Sequence, residues 1–451
     1  MSGHSARHPR RAASAFLTTG ILIGALVGGS VTSAAVSAAQ SAAEPDVFRT
    51  TLPNGMRAIV RERPGADVVA ISVATRGGSR DEQRETVGAA HFMEHMFFQG
   101  TPRRPDSADL DREIEARGGW TNAWTGWESI NFQVVTPIDD LDLAVDVIAD
   151  QMVNSLFAPE KIDKERRVVL EELNGRLNSP ATKAYDLFWI EVFGDHPARN
   201  LPIGNRDTID RSTREVLVAF RDTFFVAENM VVAVVGDVQH DDVFQKLTTA
   251  FAAMRRGPVP PKNTAPAPPL VPRLQTGTSP GQQARVIAGG ATVGYDSPDR
   301  HVLDVVEAIL GESGRRLERE FVDTQAIASS AYAFYYPLTD VGVWGISVGA
   351  RPADVDRVTD LTKAQLRALR EQPVAPEELA EAKAYLRGQR LINRERSVDL
   401  AEELSEGEAI GTYEPVTEYI SRVEAVTAAD IQRVANTHLD PDRLTLTILR
   451  P

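Results

Sequence analysis

Three residues in one short stretch carry the chemistry of this chain. Val87 to Phe98 reads VGAAHFMEHMFF, and His91, Glu94 and His95 are its only ionisable residues. A segment this apolar predicts a buried helix. Positions i, i+3 and i+4 of a helix share a face, so the three groups cluster. Burying them without partners costs on the order of a few kcal/mol each. A metal ion held by both imidazoles removes that cost, and the carboxylate between them can then act on a water that the ion activates. Glu94 is the expected general base, taking the water proton and passing it to the leaving amine.

Catalytic zinc usually takes three protein ligands and keeps one position open. The chain has no cysteine, so the third ligand must be a histidine or a carboxylate. A helix expected over Glu160 to Leu177 carries Glu165 and Glu172, seven residues apart and so on one face. Val168 and Val169 lie between them, so that face is expected to turn inward. Glu172 is assigned as third ligand, and Glu165 as an acid that orients a ligand histidine. Glu171 is the rival, about 100° round the helix. The bland alternative for Glu172 is a surface pair with Arg176. The remaining histidines lack ligand spacing.

These residues must be positioned by a sizeable fold. The chain has 451 residues, enough for two or three domains, and its 42% hydrophobic and 25% charged content is that of a globular protein. A net charge of −14 argues against nucleic acid or an anionic membrane as the main partner. Residues 1–38 place Arg7, Arg10 and Arg11 before an apolar run and end on Val36-Ser37-Ala38. That is the layout of a cleaved secretory signal, with an uncleaved anchor as the alternative. The mature chain is therefore expected to be exported, to the periplasm, with no membrane span.

Residues 46–253 predict a mixed α/β domain. Asn54-Gly55 marks a hairpin turn, Val68 to Thr75 a buried strand, and Asn229 to Val235 a central strand. Ala108 to Ala116 and Leu141 to Phe157 have helical spacing. Ile130, Phe132 and Val134 alternate with Ser129, Asn131 and Gln133, as on a strand with one buried face. Eight prolines between residues 257 and 281 mark a linker, taken as 254–281. Residues 282–451 then repeat the first half. Ala158-Pro159-Glu160 recurs as Ala375-Pro376-Glu377 after 217 residues, and Pro137-Ile138-Asp139 is echoed by Pro352-Ala353-Asp354 after 215. At the first offset Glu165 falls on Ala382 and Glu172 on Gln389, so the second half carries no such site.

The pattern resembles the pitrilysin/insulinase family of zinc peptidases, which includes the mitochondrial processing peptidase. The resemblance rests on His-x-x-Glu-His followed by 76 residues to Glu172, and on Gly118-Gly119 through Asn122-Ala123-Trp124-Thr125. Glu165-Arg166, His196-Pro197 with Ile203-Gly204, and Arg316-Leu317 add to it. It implies zinc at His91, His95 and Glu172, with Glu94 as base and Glu165 behind them. It also implies two homologous α/β domains, a layered α+β fold, forming half of a clam-shell chamber. A substrate chain would add as a strand at Asn122 and Ala123. Packing is the simpler role for Trp120, Trp124 and Trp127. Self-sufficient relatives carry an Arg and a Tyr seven residues apart in the second half, where this chain has Val322 and Ser329. The resemblance is thus to zinc-bearing subunits that pair, as a heterodimer, with a related non-zinc subunit supplying the Arg/Tyr pair. The expected activity is endopeptidase cleavage of peptides or unfolded polypeptides. The alternative is a non-catalytic peptide-binding or assembly subunit of the same fold.

Overall fold

A computed structural model describes residues 44, 46–311 and 314–451. The segment read as an export signal lies outside the described residues. The chain forms two layered α/β halves. The first contains β1 (Val47–Thr51), β2 (Arg57–Glu62), β3 (Val68–Arg76), β4 (Trp120–Thr125), β5 (Ser129–Pro137) and β6 (Met230–Gly236), in the sheet order β1-β2-β6-β3-β5-β4. Its helices are α1 (Ala89–Phe97), α2 (Ser107–Glu115), α3 (Leu141–Asn154), α4 (Pro159–Asn178), α5 (Pro180–Phe193), α6 (Arg206–Arg211), α7 (Arg214–Phe224) and α8 (His240–Ala250). The second contains β7 (Arg273–Thr278), β8 (Ala284–Thr292), β9 (Ala328–Pro337), β10 (Gly342–Ala350) and β11 (Thr445–Arg450), in the order β7-β11-β8-β10-β9. Its helices are α9 (Asp299–Leu310), the single turn α10 (Arg316–Glu318), α11 (Val355–Glu371), α12 (Pro376–Ile392), α13 (Ser397–Ile410), α14 (Val416–Ala425) and α15 (Ala428–His438).

Without β1 the two sheets have one plan. In each, a single parallel pair (β2 with β6, β7 with β11) sits beside antiparallel neighbours. The helices α4 and α12 begin 217 residues apart, and so do α5 and α13. The internal repeat read from two short matches is therefore a repeat of topology. Part of the linker reading needs correction: residues 273–278 of the proline-rich stretch pair with β11 as β7. The stretch before it is tied down rather than free. Arg80 donates to Asn263 O at 3.0 Å, Asn263 donates back to Arg80 O at 2.6 Å, and Lys262 reaches Ile410 O at 3.0 Å.

The halves are interlocked by an exchange of helices. One face of the first sheet packs on its own helices, with Ile71, Val73, Phe132 and Val134 against Phe92, Met96 and Phe97. Its other face is covered by α13 of the second half, where Val398, Leu400, Ala401 and Leu404 meet Ile59, Ala70, Ala74 and Val231. Reciprocally, Phe188, Trp189 and Val192 of α5 pack on Ile287, Ala291 and Phe334 of the second sheet. Trp127 stacks on Trp189 with centroids 4.0 Å apart, as the packing role expected.

This exchange corrects the reading of β5. Its polar residues do not face solvent: Ser129, Asn131 and Gln133 are all buried beneath α13. Ser129 donates to Glu406 at 2.6 Å, Asn131 to Ser405 at 3.3 Å, and Ser72 shares a bond of 2.8 Å with Ser405. Alternation normally means one solvated face, but here hydrogen bonds to the covering helix satisfy the polar row. A buried ion pair adds to the join: Arg80 meets Glu128 at 2.6 Å and Asp340 at 2.9 Å. Among the described residues no helix is long and apolar enough to cross a membrane.

Candidate metal centre

The motif stretch folds as the nine-residue helix α1. Its apolar residues Phe92, Met93, Met96 and Phe97 are wholly buried, whereas His91 and His95 are half-buried on the side facing α4. The helix begins at Gly88, whose φ of 98° is one that glycine adopts readily. A Cβ there would sit 2.9 Å from the Cα of Gly204. That glycine pair lets the loop before α6 press directly on the start of α1.

The long helix α4 starts with Pro159 at its first position, as expected for that residue. Val169 and Leu173 anchor it in the core. Glu165 is buried, but the side chain of Glu172 is 45% exposed, as is Val168 at 39%. The expectation of an inward apolar face is thus half right: Glu165 turns inward, while Glu172 stands at an opening. Arg176 is held by Asp186, with Nε to Oδ2 at 2.6 Å, which answers the bland reading of Glu172 as its partner.

Across the two helices, His91 Nε2 and His95 Nε2 each lie 3.5 Å from Glu172 Oε2. One ligand atom from each of these three residues falls within 4.8 Å of the others, the only such His/Cys/Asp/Glu group among the described residues. Glu171 is not part of it. Behind the group, Glu165 Oε2 is 3.3 Å from His95 Nδ1, leaving Nε2 to point at Glu172. His91 Nδ1 is buried and has no hydrogen-bond partner among the described residues. Glu94, one residue from His95, is not one of the three and accepts a bond of 2.6 Å from Thr125 Oγ1. Thr125 ends β4, the edge strand carrying Asn122 and Ala123, which pair with Gln133 and Phe132 of β5 on one side. Among the described residues the other side of β4 has no strand neighbour in the sheet.

The electrostatics sort the groups by role. Burial, aided by the charge of His95, pushes the His91 pKa down to about 3, so its ring is neutral. Burial disfavours a charge on His95 too, but its bonds to Glu165 and Glu172 outweigh that and push it up to about 10. Burial resists ionisation of Glu172, and the two imidazoles overcome it, holding the carboxyl below its usual range. Glu94 is pushed up to about 7 by burial, against the pull of His95 and Thr125. Glu165 and Glu172 thus favour positive charge at His95, supplied by a proton or, in its place at Nε2, by a metal ion.

Reading the sequence missed two residues at this centre. Thr125 lay in a recognised motif but had no assigned role, since only the fold brings the end of β4 to Glu94. Glu82 carries no sequence signal of a role, yet it is buried and accepts hydrogen bonds from Gly88 N at 2.9 Å and Ala90 N at 2.6 Å.

Comparison with known proteins agrees with this geometry. Residues 57–185 match the model of the insulinase family, peptidase family M16, and residues 211–386 match that of the M16 inactive domain. The second match begins before β6, so its limits are not those of the structural halves. An uncharacterised zinc protease of Mycobacterium leprae is 30% identical over 395 residues, covering 86% of this chain and 88% of that protein. A probable mitochondrial-processing peptidase subunit beta of Arabidopsis thaliana is 28% identical over 432 residues, covering 90% and 79%. The crystal structure of a protease from Helicobacter pylori superposes with a TM-score of 0.85 at 25% identity, covering 90% of this chain and all of that one. Helix pairing, donor set and these likenesses agree, and the chain belongs to the insulinase family of peptidases, M16.

Proposed function

We propose that this chain is an exported zinc endopeptidase that hydrolyses peptides or unfolded polypeptides. One observation carries the reading: His91 Nε2, His95 Nε2 and Glu172 Oε2 converge from two helices into one small group. Two imidazoles and one carboxylate are a donor set that would hold zinc, and Glu172 stands at an opening through which a substrate could reach it. When bound, zinc supplies Lewis acidity, bringing the pKa of water toward about 7 and polarising a carbonyl. The chain's own groups do the rest. His91 is neutral and ready to donate its lone pair. Glu165 holds His95 by Nδ1 so that Nε2 faces Glu172. Glu94, held by Thr125, takes a proton from the attacking water and returns it to the leaving amine. The open edge of β4 offers the backbone at Asn122 and Ala123 to an extended chain, which would lie beside Glu94.

The remaining assignments extend this reading. Residues 1–38 act as the export signal and direct the chain to the periplasm. Residues 46–253 form the zinc-bearing domain, and the residues from β7 onward, 273–451, a homologous inactive one. In the second half Ala382 and Gln389 stand where α4 has its two acids. Val322 lies in the turn Arg319–Thr324, and Ser329, near the start of β9, bonds to Gly349 O at 3.1 Å. Neither supplies the expected Arg or Tyr, so the chain works as half of a clam-shell chamber with a related non-zinc partner.

The test is metal analysis of the purified chain, with peptide cleavage measured alone, with the partner, and after chelation. One zinc per chain and chelator-sensitive cleavage that rises with the partner are expected. Glu94→Gln should keep the zinc and lose about 10²–10⁴-fold in turnover. Full activity of the lone chain would reject the heterodimer. A metal-free chain that binds peptides without cutting them would favour the non-catalytic subunit instead.

A further inference from the structure

We infer that Glu82 is a positioning residue for the metal centre: its carboxylate fixes the start of α1, and with it the placement of His91 and His95 against α4. The inference rests on the zinc reading above. A helix leaves its first four N–H groups without internal partners, and a side chain at the N-cap usually satisfies one. Here the N-cap is Gly88, which has no side chain to offer. Nor can it gain one, because Gly204 is pressed against it. The task passes to Glu82, which spends both oxygens on it: Oε2 accepts from Gly88 N at 2.9 Å and Oε1 from Ala90 N at 2.6 Å. The carboxyl group is 5% exposed, and two bonds from one buried group to two backbone N–H groups leave it little freedom to move.

Glu82 is itself fixed. Asn200 Nδ2 donates to Glu82 O and Ser79 O, each at 3.2 Å, and Ser79 Oγ donates to Asn200 O at 2.8 Å. A rigid loop therefore grips α1 one residue before His91. Both imidazoles ride on a helix of nine residues, while the third donor comes from α4. Ligand distances tolerate only about 0.2 Å, so slippage of α1 against α4 is felt directly at the metal.

The test uses the full chain and Glu82→Gln, which keeps the shape but turns an NH₂ toward one of the two N–H groups. Zinc affinity is measured by chelator competition, the visible spectrum after cobalt loading, and kcat and KM on a peptide. The expected result is zinc affinity about 10–100-fold lower, an altered cobalt spectrum, and a fall in kcat with KM within about twofold. Unchanged affinity and cobalt spectrum overturn the inference even if thermal stability drops, for then Glu82 serves the fold alone. If Glu82→Gln does not fold, Asn200→Ala replaces it, leaving the carboxylate but freeing its loop. About three- to tenfold weaker zinc binding is expected there, less than for loss of a direct partner, and unchanged binding overturns the inference. A wild-type chain that takes up neither metal overturns the zinc reading and this inference together. A wild type that binds, beside an unaltered Glu82→Gln, overturns this inference alone.

Discussion

Replacing Leu404 by alanine tests whether the second half is part of the catalytic half's core. Leu404 lies on α13, is fully buried, and packs on the first sheet among Ile59, Ala70, Ala74, Val231 and Ala233. Losing three carbons removes about 2.4 kcal/mol of transfer energy, at about 0.8 kcal/mol each. The cavity adds to this, and Leu→Ala changes in cores span about 2.7–5 kcal/mol. The upper part of that range, about 4 kcal/mol, is expected here. Three of the five neighbours are alanines, and all five sit on strands paired on both sides, which cannot move in to fill the space. In urea, with a slope of about 4 kcal/mol/M for a chain this long, the midpoint should fall by about 1 M. The telling comparison is between zinc release, which reports the first half, and amide hydrogen exchange of α11, which reports the second. Both should shift together, because α13 and α5 are exchanged between the halves. Zinc release at an unchanged midpoint, with only the exchange of α11 shifted, would refute the reasoning.

Other outcomes follow from the same geometry. Glu172→Ala should abolish zinc in elemental analysis while thermal stability of the metal-free protein changes little, since the side chain is 45% exposed. Glu165→Gln should keep the zinc but weaken it about 10–100-fold in chelator competition, by loosening His95. Stability should also depend on pH through the acids of α13. Burial pushes Glu402 up to about 7 and Glu406 up to about 8, from ordinary values of 4.5. The folded state then holds protons that the unfolded state has released, so this stability is complete below pH 4.5 and is lost as pH rises through about 8. The gap in melting temperature between Glu406→Gln and wild type should therefore move in favour of the variant from pH 5 to pH 8, and a constant gap would contradict it.

The parts of the site that lie in one helix were legible in the sequence. His91, Glu94 and His95 needed only the helical repeat, and α4 was equally plain from its proline start. The duplication could be read because Pro159 and Pro376 begin matching helices. What misled was any inference from local pattern to solvent. Ser129, Asn131 and Gln133 alternate like an exposed row, yet they are buried, because α13 arrives from more than 260 residues away with hydrogen-bonding partners. Likewise Arg273 to Thr278 sits among prolines and still joins a sheet, since β11 at the far end of the chain provides its ladder.

The sequence by itself determined which groups could bind a metal and which could move a proton, because those properties belong to side-chain chemistry and to spacing within one helix. Only the tertiary structure decided that α4 brings Glu172 to the histidines while leaving it at an opening, that Thr125 bonds to Glu94, and that Glu82 holds the start of α1. Each of these is a contact between separate segments, and such contacts are set by how the segments pack, which no local period encodes.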